Sequence, residues 1–209
     1  MVRIKICGIT NLQDAMSAVY LGVDALGFIF APSPREISPR EARMIIEKLP
    51  PLVKSVGVFV NEKPEEIERI SGYCGLDLVQ LHGDEPPEEC KAFMPRTIKA
   101  IQVRRGFQLS SLLKPYQDCT RAILLDTYSG SVRGGTGHIF DWNLAAHARD
   151  SGMSIILSGG LNPANVREAV LRVRPHGVDV NSGIEEYPGK KDFGLMKKFM
   201  DSVRCLLMD

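Results

Sequence analysis

Short apolar runs alternate along this chain with longer segments whose apolar positions recur at helical spacing. The runs at 2–7, 25–30, 54–60, 76–81, 97–103, 121–126, 154–158 and 177–181 are rich in Ile, Val, Leu and Phe. Several are apolar throughout, as suits parallel strands covered on both faces. Between them the pattern predicts helices over 11–21, 38–49, 63–71, 86–93, 141–150, 162–171 and 192–203, with a weaker one over 106–116 that ends at Pro115. The segment 11–21 gathers Ala15, Ala18 and Val19 on one face. Ser38-Pro39 with Glu41 reads as an N-cap, a proline at the first helical position and a capping-box partner. The strand ends recur at a mean period of about 25 residues, the length of one strand-helix unit, and eight such units with right-handed crossovers close into a barrel. The expected fold is therefore α/β, a single-domain (βα)8 TIM barrel over residues 1–209. An open doubly wound sheet is the alternative, but no Gly-x-Gly-x-x-Gly follows the first strand.

Composition narrows the function. The chain has 209 residues, 44% of them hydrophobic, with 26 basic and 25 acidic side chains. That balance shows no basic excess, so a nucleic-acid partner is not expected. The pairs Arg104-Arg105, Lys190-Lys191 and Lys197-Lys198 read as solvated faces. The five cysteines, Cys7, Cys74, Cys90, Cys119 and Cys205, are scattered and form no Cys-x-x-Cys pair. This argues against a disulfide framework and a thiolate metal site. No run approaches the ~18 apolar residues of a membrane span, and the N-terminus lacks a signal-peptide pattern. A cytoplasmic protein with no membrane partner is expected. No exposed apolar stripe stands out, so a monomer is expected as well.

Barrel enzymes work at the C-terminal ends of their strands. The polar residues there are Lys5 and Cys7, Gln80 and His82, Asp126, Ser158, and Asp179 and Asn181. Residues two apart share a strand face, so Lys5 lies one layer below Cys7. Each interrupts an apolar run, at a cost unless a partner or a function is present. Ser158-Gly159-Gly160 ends the seventh strand and Asn181-Ser182-Gly183 the eighth. Small residues there are either tight turns or a phosphate cradle, and two such groups at these strand ends favour the cradle. A third cluster, Gly134-Gly135-Thr136-Gly137, sits in the patternless segment 127–138, a binding loop or a bare excursion. Arg35 follows two prolines in Ala31-Pro32-Ser33-Pro34. It is either a clamp for a carboxylate or phosphate or a surface arginine without a role. Cys7 alone is either a buried inert thiol or a base.

Taken together, Lys5-Ile6-Cys7-Gly8-Ile9-Thr10, Gly27-Phe28-Ile29-Phe30 with Ser33-Pro34-Arg35, Gln80-Leu81-His82-Gly83, Leu125-Asp126, Gly134-Gly135-Thr136-Gly137 with Phe140-Asp141-Trp142, Ser158-Gly159-Gly160-Leu161 and Asp179-Val180-Asn181-Ser182-Gly183-Ile184-Glu185 resemble phosphoribosylanthranilate isomerase. The motifs run in order over nearly the whole chain. One departure is Asn181, where that family commonly carries serine. Asparagine keeps hydrogen-bonding capacity and tolerates turn geometry. The resemblance implies an Amadori rearrangement of N-(5-phosphoribosyl)anthranilate to 1-(2-carboxyphenylamino)-1-deoxyribulose 5-phosphate in L-tryptophan biosynthesis, with no cofactor and no metal. It implies Cys7 as general base, Asp126 as general acid, and Arg35, His82 and Asp179 in the substrate pocket. Gly135, Ser158, Gly159, Gly160, Asn181, Ser182 and Gly183 would hold the phosphate. A thiol near its ordinary pKa of ~8.5 would need lowering to serve at neutral pH.

Other phosphate-binding barrels are the rivals. Indole-3-glycerol-phosphate synthase needs a catalytic lysine and normally carries an extra N-terminal segment, whereas the first strand here starts at residue 2. The isomerase of histidine biosynthesis uses paired aspartates, whereas this chain offers Cys7 and Asp126. A phosphate sensor would need the glycines but no acid and base.

Overall fold

Eight parallel strands pair in chain order, and the last closes on the first. They are β1 (Arg3–Ile6), β2 (Ala25–Ile29), β3 (Lys54–Phe59), β4 (Leu78–Leu81), β5 (Thr97–Val103), β6 (Ala122–Thr127), β7 (Ile155–Leu157) and β8 (Gly177–Val180). The closing ladder sets Lys5 against Asp179 and Ile6 against Val180. That ladder makes the expected (βα)8 barrel and excludes an open sheet. This computed structural model describes residues 2–103, 109–127, 142–149 and 151–205.

The helices are α1 (Leu12–Tyr20), α2 (Pro39–Ile46), α3 (Pro64–Cys74), α4 (Pro87–Ala92), α5 (Leu109–Leu113), α6 (Trp142–Arg149), α7 (Val166–Val173) and α8 (Phe193–Arg204). Local chemistry starts several of them. Asn11 accepts from the Asp14 amide, Asp192 accepts from the Leu195 amide, and Ser38 with Glu41 forms the full capping box. Each such cap contributes about 1 kcal/mol. Among the described residues, no helix is long and apolar enough to cross a membrane.

Strand alternation divides the core in two. Outward residues such as Ile4, Ile6, Leu26, Phe28, Val79, Leu81, Ile123 and Leu125 pack with Ala15, Ala18, Ile67, Val166 and Phe199 of the helices in one continuous cluster. Inward residues Val56, Ile98, Ala100, Ala122 and Leu124 form a smaller plug inside the barrel, with Ala25, Leu78 and Ile156 against it. Two residues further along the strands stand Gln80 and Asp126, in the layer nearer the C-terminal face. The buried polar residues Lys5, Gln80 and Asp179 therefore roof the apolar plug and floor the barrel mouth.

Three expectations change. The helix expected over 162–171 starts four residues later, because Asn162 and Asn165 fold the loop first. The Asn162 amide donates to Asn165 Oδ1 and the Ala164 amide to Asn162 Oδ1, a side-chain turn that competes with helix. The described part of 106–116 splits into α5 and a 3₁₀ turn, Lys114–Tyr116, around Pro115. A hairpin of β9 (Glu185–Tyr187) and β10 (Lys190–Lys191) follows β8 and had no counterpart in the sequence reading. Its Lys191 has a wholly buried side chain, so Lys190-Lys191 is not a solvated pair. Asp14 draws the hairpin in, accepting from Lys190 Nζ at 2.6 Å and from the Lys191 amide at 2.8 Å. Lys197, by contrast, is exposed and pairs with Asp201 across one helical turn.

Candidate active site

The residues that decide the chemistry stand one step past the strands but remain in their ladders. The Cys7 amide donates to the Val180 carbonyl at 2.9 Å, that of His82 to Phe59 at 2.8 Å, and that of Ser158 to Leu125 at 2.8 Å. Their side chains therefore keep strand directions and enter the mouth.

Cys7 is buried beside a charged pair. Lys5 Nζ donates to Asp179 Oδ2 at 2.9 Å, and both side chains are 5% exposed. A Cβ on Gly27 would lie 2.7 Å from Cys7 Sγ and 3.1 Å from Lys5 Cε, so both side chains meet over its bare backbone. Burial pushes the Cys7 thiol above its ordinary value. Lys5 pulls it down through charge and a hydrogen bond, Asp179 adds to the rise, and Lys191 pulls down more weakly. The protein's own groups thus do not supply the lowering that the base role called for. Burial also disfavours charge on Lys5, but Asp179 and Cys7 outweigh it and hold the ammonium above its ordinary value. Asp179 Oδ1 is buried and has no hydrogen-bond partner among the described residues.

Across the mouth a relay aims Asp126. Gln80 Nε2 lies 2.9 Å from His82 Nδ1, and His82 Nε2 lies 3.1 Å from Asp126 Oδ2. Nδ1 can accept from the amide in the tautomer whose ring proton is on Nε2, the nitrogen that faces Asp126. Asp126 and His82 both act electrostatically on Asp179, which places this relay and the Cys7 cluster in one mouth. A cavity of about 540 Å³ opens on the β3–β5 side, lined by Asn61, His82, Lys99, Gln102 and Tyr116 among others.

Arg35 is held by the loop between β2 and α2, where its amide donates to Ser33 Oγ at 3.1 Å. Its guanidinium forks onto Glu185, with Nε 2.8 Å from Oε1 and the second terminal nitrogen 2.6 Å from Oε2. Glu185 also accepts from Lys191 Nζ at 2.8 Å, and the same ammonium donates to Asn181 Oδ1 at 2.8 Å. Burial works to raise Glu185, but the hydrogen bonds from Arg35 and Lys191 prevail and hold it below its ordinary value. Burial lowers Lys191, partly offset by Glu185.

Gly159 and Gly160 adopt φ of 80° and 66°, a conformation glycine takes without strain. A Cβ on Gly183 would stand 1.9 Å from the Leu161 carbonyl oxygen, so the loops after β7 and β8 touch backbone to backbone. Ser182–Ile184 winds into a single 3₁₀ turn beside them. Bare glycine backbone at this corner, after strands seven and eight, suits an anion.

The family model for N-(5′-phosphoribosyl)anthranilate isomerase matches residues 4–202. The chain belongs to the N-(5′-phosphoribosyl)anthranilate isomerase family. The Geobacter sulfurreducens isomerase is 50% identical over 203 residues, 96% of this chain and 97% of that protein. The solved structure of phosphoribosyl anthranilate isomerase from Thermotoga maritima matches with a TM-score of 0.91 at 49% identity, over 98% of this chain and all of that one. A solved isomerase in complex with reduced 1-(o-carboxyphenylamino)-1-deoxyribulose 5-phosphate matches with a TM-score of 0.88 at 48% identity and the same coverage.

Within this isomerase-family barrel, Cys7, Asp126, His82, Asp179 and Arg35 all reach the C-terminal face, together with Ser158, Gly159, Gly160, Asn181, Ser182 and Gly183. Gly135 and the rest of the Gly134–Gly137 cluster lie outside the described residues. Sequence reasoning missed Glu185 and Lys191 as site residues. Glu185 stood at the end of a quoted motif, and Lys191 was hidden inside a dibasic pair. It also missed Glu85 and Lys99, whose buried ion pair at 2.7 Å anchors the loop after β4.

Proposed function

We propose that this chain catalyses the Amadori rearrangement of N-(5′-phosphoribosyl)anthranilate in tryptophan biosynthesis, with Asp126 as general acid and Cys7 as general base. The observation that carries the reading is the mouth itself. A thiol beside a cation and a carboxyl paired with an imidazole stand at one barrel mouth, next to a glycine-rich corner. The phosphate would dock on the loops after β7 and β8, against Ser158–Gly160 and Asn181–Gly183, with Gly135 as a further contact. Arg35 keeps an edge of its guanidinium free of Glu185, and that edge would take the anthranilate carboxylate as a two-pronged pair. Glu185 then orients the clamp instead of competing for it.

Asp126 gives its proton to the furanose oxygen, and the ring opens as the nitrogen lone pair forms the C1′=N bond. The cationic Schiff base acidifies the C2′ proton. Cys7 thiolate takes that proton, and the C–H electrons form the C1′=C2′ bond of a neutral enolamine. On ketonisation the C2′ hydroxyl gives its proton to the Asp126 carboxylate and C1′ takes one from the Cys7 thiol, which leaves a ketone at C2′ and returns both groups to their starting states. Oxidation at C2′ balances reduction at C1′ within one molecule, so the step calls for no external redox partner. Asp179 Oδ1 is the acceptor for a sugar hydroxyl. The positive charge on the Schiff base also favours the thiolate, offsetting the burial that disfavours it.

Positioned acid–base groups contribute about 10²–10⁴-fold each. Cys7→Ala and Asp126→Asn are each expected to lower turnover by at least that order, with unchanged circular dichroism. The assay is loss of the fluorescence of phosphoribosylanthranilate, with the histidine-pathway isomerase substrate tested in parallel. Ordinary turnover in both variants would overturn the mechanism.

A further inference from the structure

We propose that Lys5 is the positioning residue for the base: anchored on Asp179 beside Cys7, it supplies the positive charge that makes the Cys7 thiolate attainable. The inference rests on the reading of Cys7 as the base. Four observations lead to it. Lys5 lies two residues before Cys7 on the same face of β1, and its side chain is 5% exposed. Gly27 offers no side chain where Lys5 Cε and Cys7 Sγ converge, and any Cβ there would strike both. Asp179, the register partner of Lys5 across the closing ladder, fixes the ammonium at 2.9 Å. The fourth is chemical: a buried ammonium pair in a barrel core is replaceable by apolar groups at little cost, yet here it stands directly beneath a buried thiol.

The charged groups around Cys7 come from every side. Lys5 rises from β1, Asp179 from β8, Lys191 from β10 and Arg35 from the loop after β2, where Glu185 holds both of the latter cations. His82 and Asp126 face the cluster from β4 and β6 through Asp179. Glu185 neutralises part of the Lys191 and Arg35 charge. Lys5 is the cation with the strongest pull on the thiol. It keeps its proton throughout: thiolate takes the C2′ proton, becomes thiol, and the ammonium only changes what it faces.

Lys5→Met tests this. The titration is followed by thiolate ultraviolet absorbance, using the difference from a matched Cys7→Ser protein so that the other four cysteines cancel. Loss of a cation at this range is expected to move the Cys7 midpoint up by roughly 1–3 pH units. The limb of kcat/KM that rises with pH should move by the same amount, and activity should return toward alkaline pH. Lys5→Arg should restore most of the shift. Lys5→Met leaves Asp179 buried without its cation, so if the single variant fails to fold, Lys5→Met/Asp179→Asn serves, read against Asp179→Asn alone because Asp179 itself raises the thiol. An unchanged thiolate midpoint in the folded variant overturns the proposal, as does a pH-independent fall in rate. Full turnover by Cys7→Ser would instead overturn the base reading, while the titration would still decide the part of Lys5.

Discussion

At the scale of single residues, the anion corner depends on hydrogen where a methyl would otherwise stand. Gly183 has ordinary negative φ, so backbone freedom is not its reason. Its Cβ would sit 1.9 Å from the Leu161 oxygen and 2.9 Å from the Leu161 carbon, both backbone atoms that no rotamer can clear. Gly183→Ala must therefore part the loops after β7 and β8. The expected result is a stability loss of about 1–3 kcal/mol, as for an overpacked core, and a rise in KM larger than the fall in kcat. Steady-state kinetics with competition by inorganic phosphate checks this, and unchanged KM would detach Gly183 from the phosphate. Arg35→Ala should raise KM too, but without weakening phosphate competition if, as proposed, its free edge takes the anthranilate carboxylate. From sequence, Gly183 was legible as a small residue at a strand end. Its contact was not, because Leu161 lies on the loop after β7 and only the pairing of β7 with β8 brings the two loops side by side.

At the scale of elements, the loop between β4 and α4 carries His82 and is fastened from beneath. Glu85 accepts from the Asn61 and Gly83 amides at 2.8 and 2.9 Å and from Lys99 Nζ at 2.7 Å, and Lys99 also donates to the Gly83 carbonyl at 2.6 Å. One carboxylate thus joins the loop after β3, the loop after β4 and strand β5. Lys99→Met would strand that carboxylate in a buried site, at a cost of about 3–5 kcal/mol. Lys99→Met/Glu85→Gln should recover part of it, because the uncompensated charge is gone. Urea unfolding of both variants measures the difference, and equal stability would remove the ion pair as the fastening. Nothing in the sequence singled out Lys99. It interrupts β5 from the outward face, fourteen positions from Glu85, and a lysine in a strand is ordinarily a solvated end. The hairpin β9–β10 escaped for a similar reason. Its strands are too short for a periodic signal, and its position is set by Asp14 of α1, at the other end of the chain.

At the scale of the whole molecule, the barrel was legible because every strand is sealed on both faces and must be apolar at nearly every position. The breaks in that rule, Lys5, Cys7, Gln80, His82, Asp126 and Asp179, were legible for the same reason, and the structure gathers them at one mouth. What stayed hidden is the set of carboxylates that clasp the rim. Glu85 and Glu185 work on different sectors, one at β3–β5 and the other joining the loops after β2 and β8 to the hairpin. In both, burial acts to raise the carboxyl, and hydrogen bonds, from Lys99 and Asn61 in one and from Arg35 and Lys191 in the other, more than reverse it. A carboxyl lower in the folded chain than in the unfolded one adds stability that is complete above the unfolded value, about 4.3 for glutamate. That stability is lost as pH falls from there through the folded value. Stability should therefore change little with these groups down to that point and fall below it. Glu85→Gln/Glu185→Gln should be less stable than the wild type at neutral pH, yet decline less steeply across the acid window. Urea denaturation at a series of pH values reads both quantities. Parallel acid limbs in the two proteins would mean that these clasps do not govern the acid response, whereas converging limbs would trace it to the rim that also holds Arg35 and His82 in place.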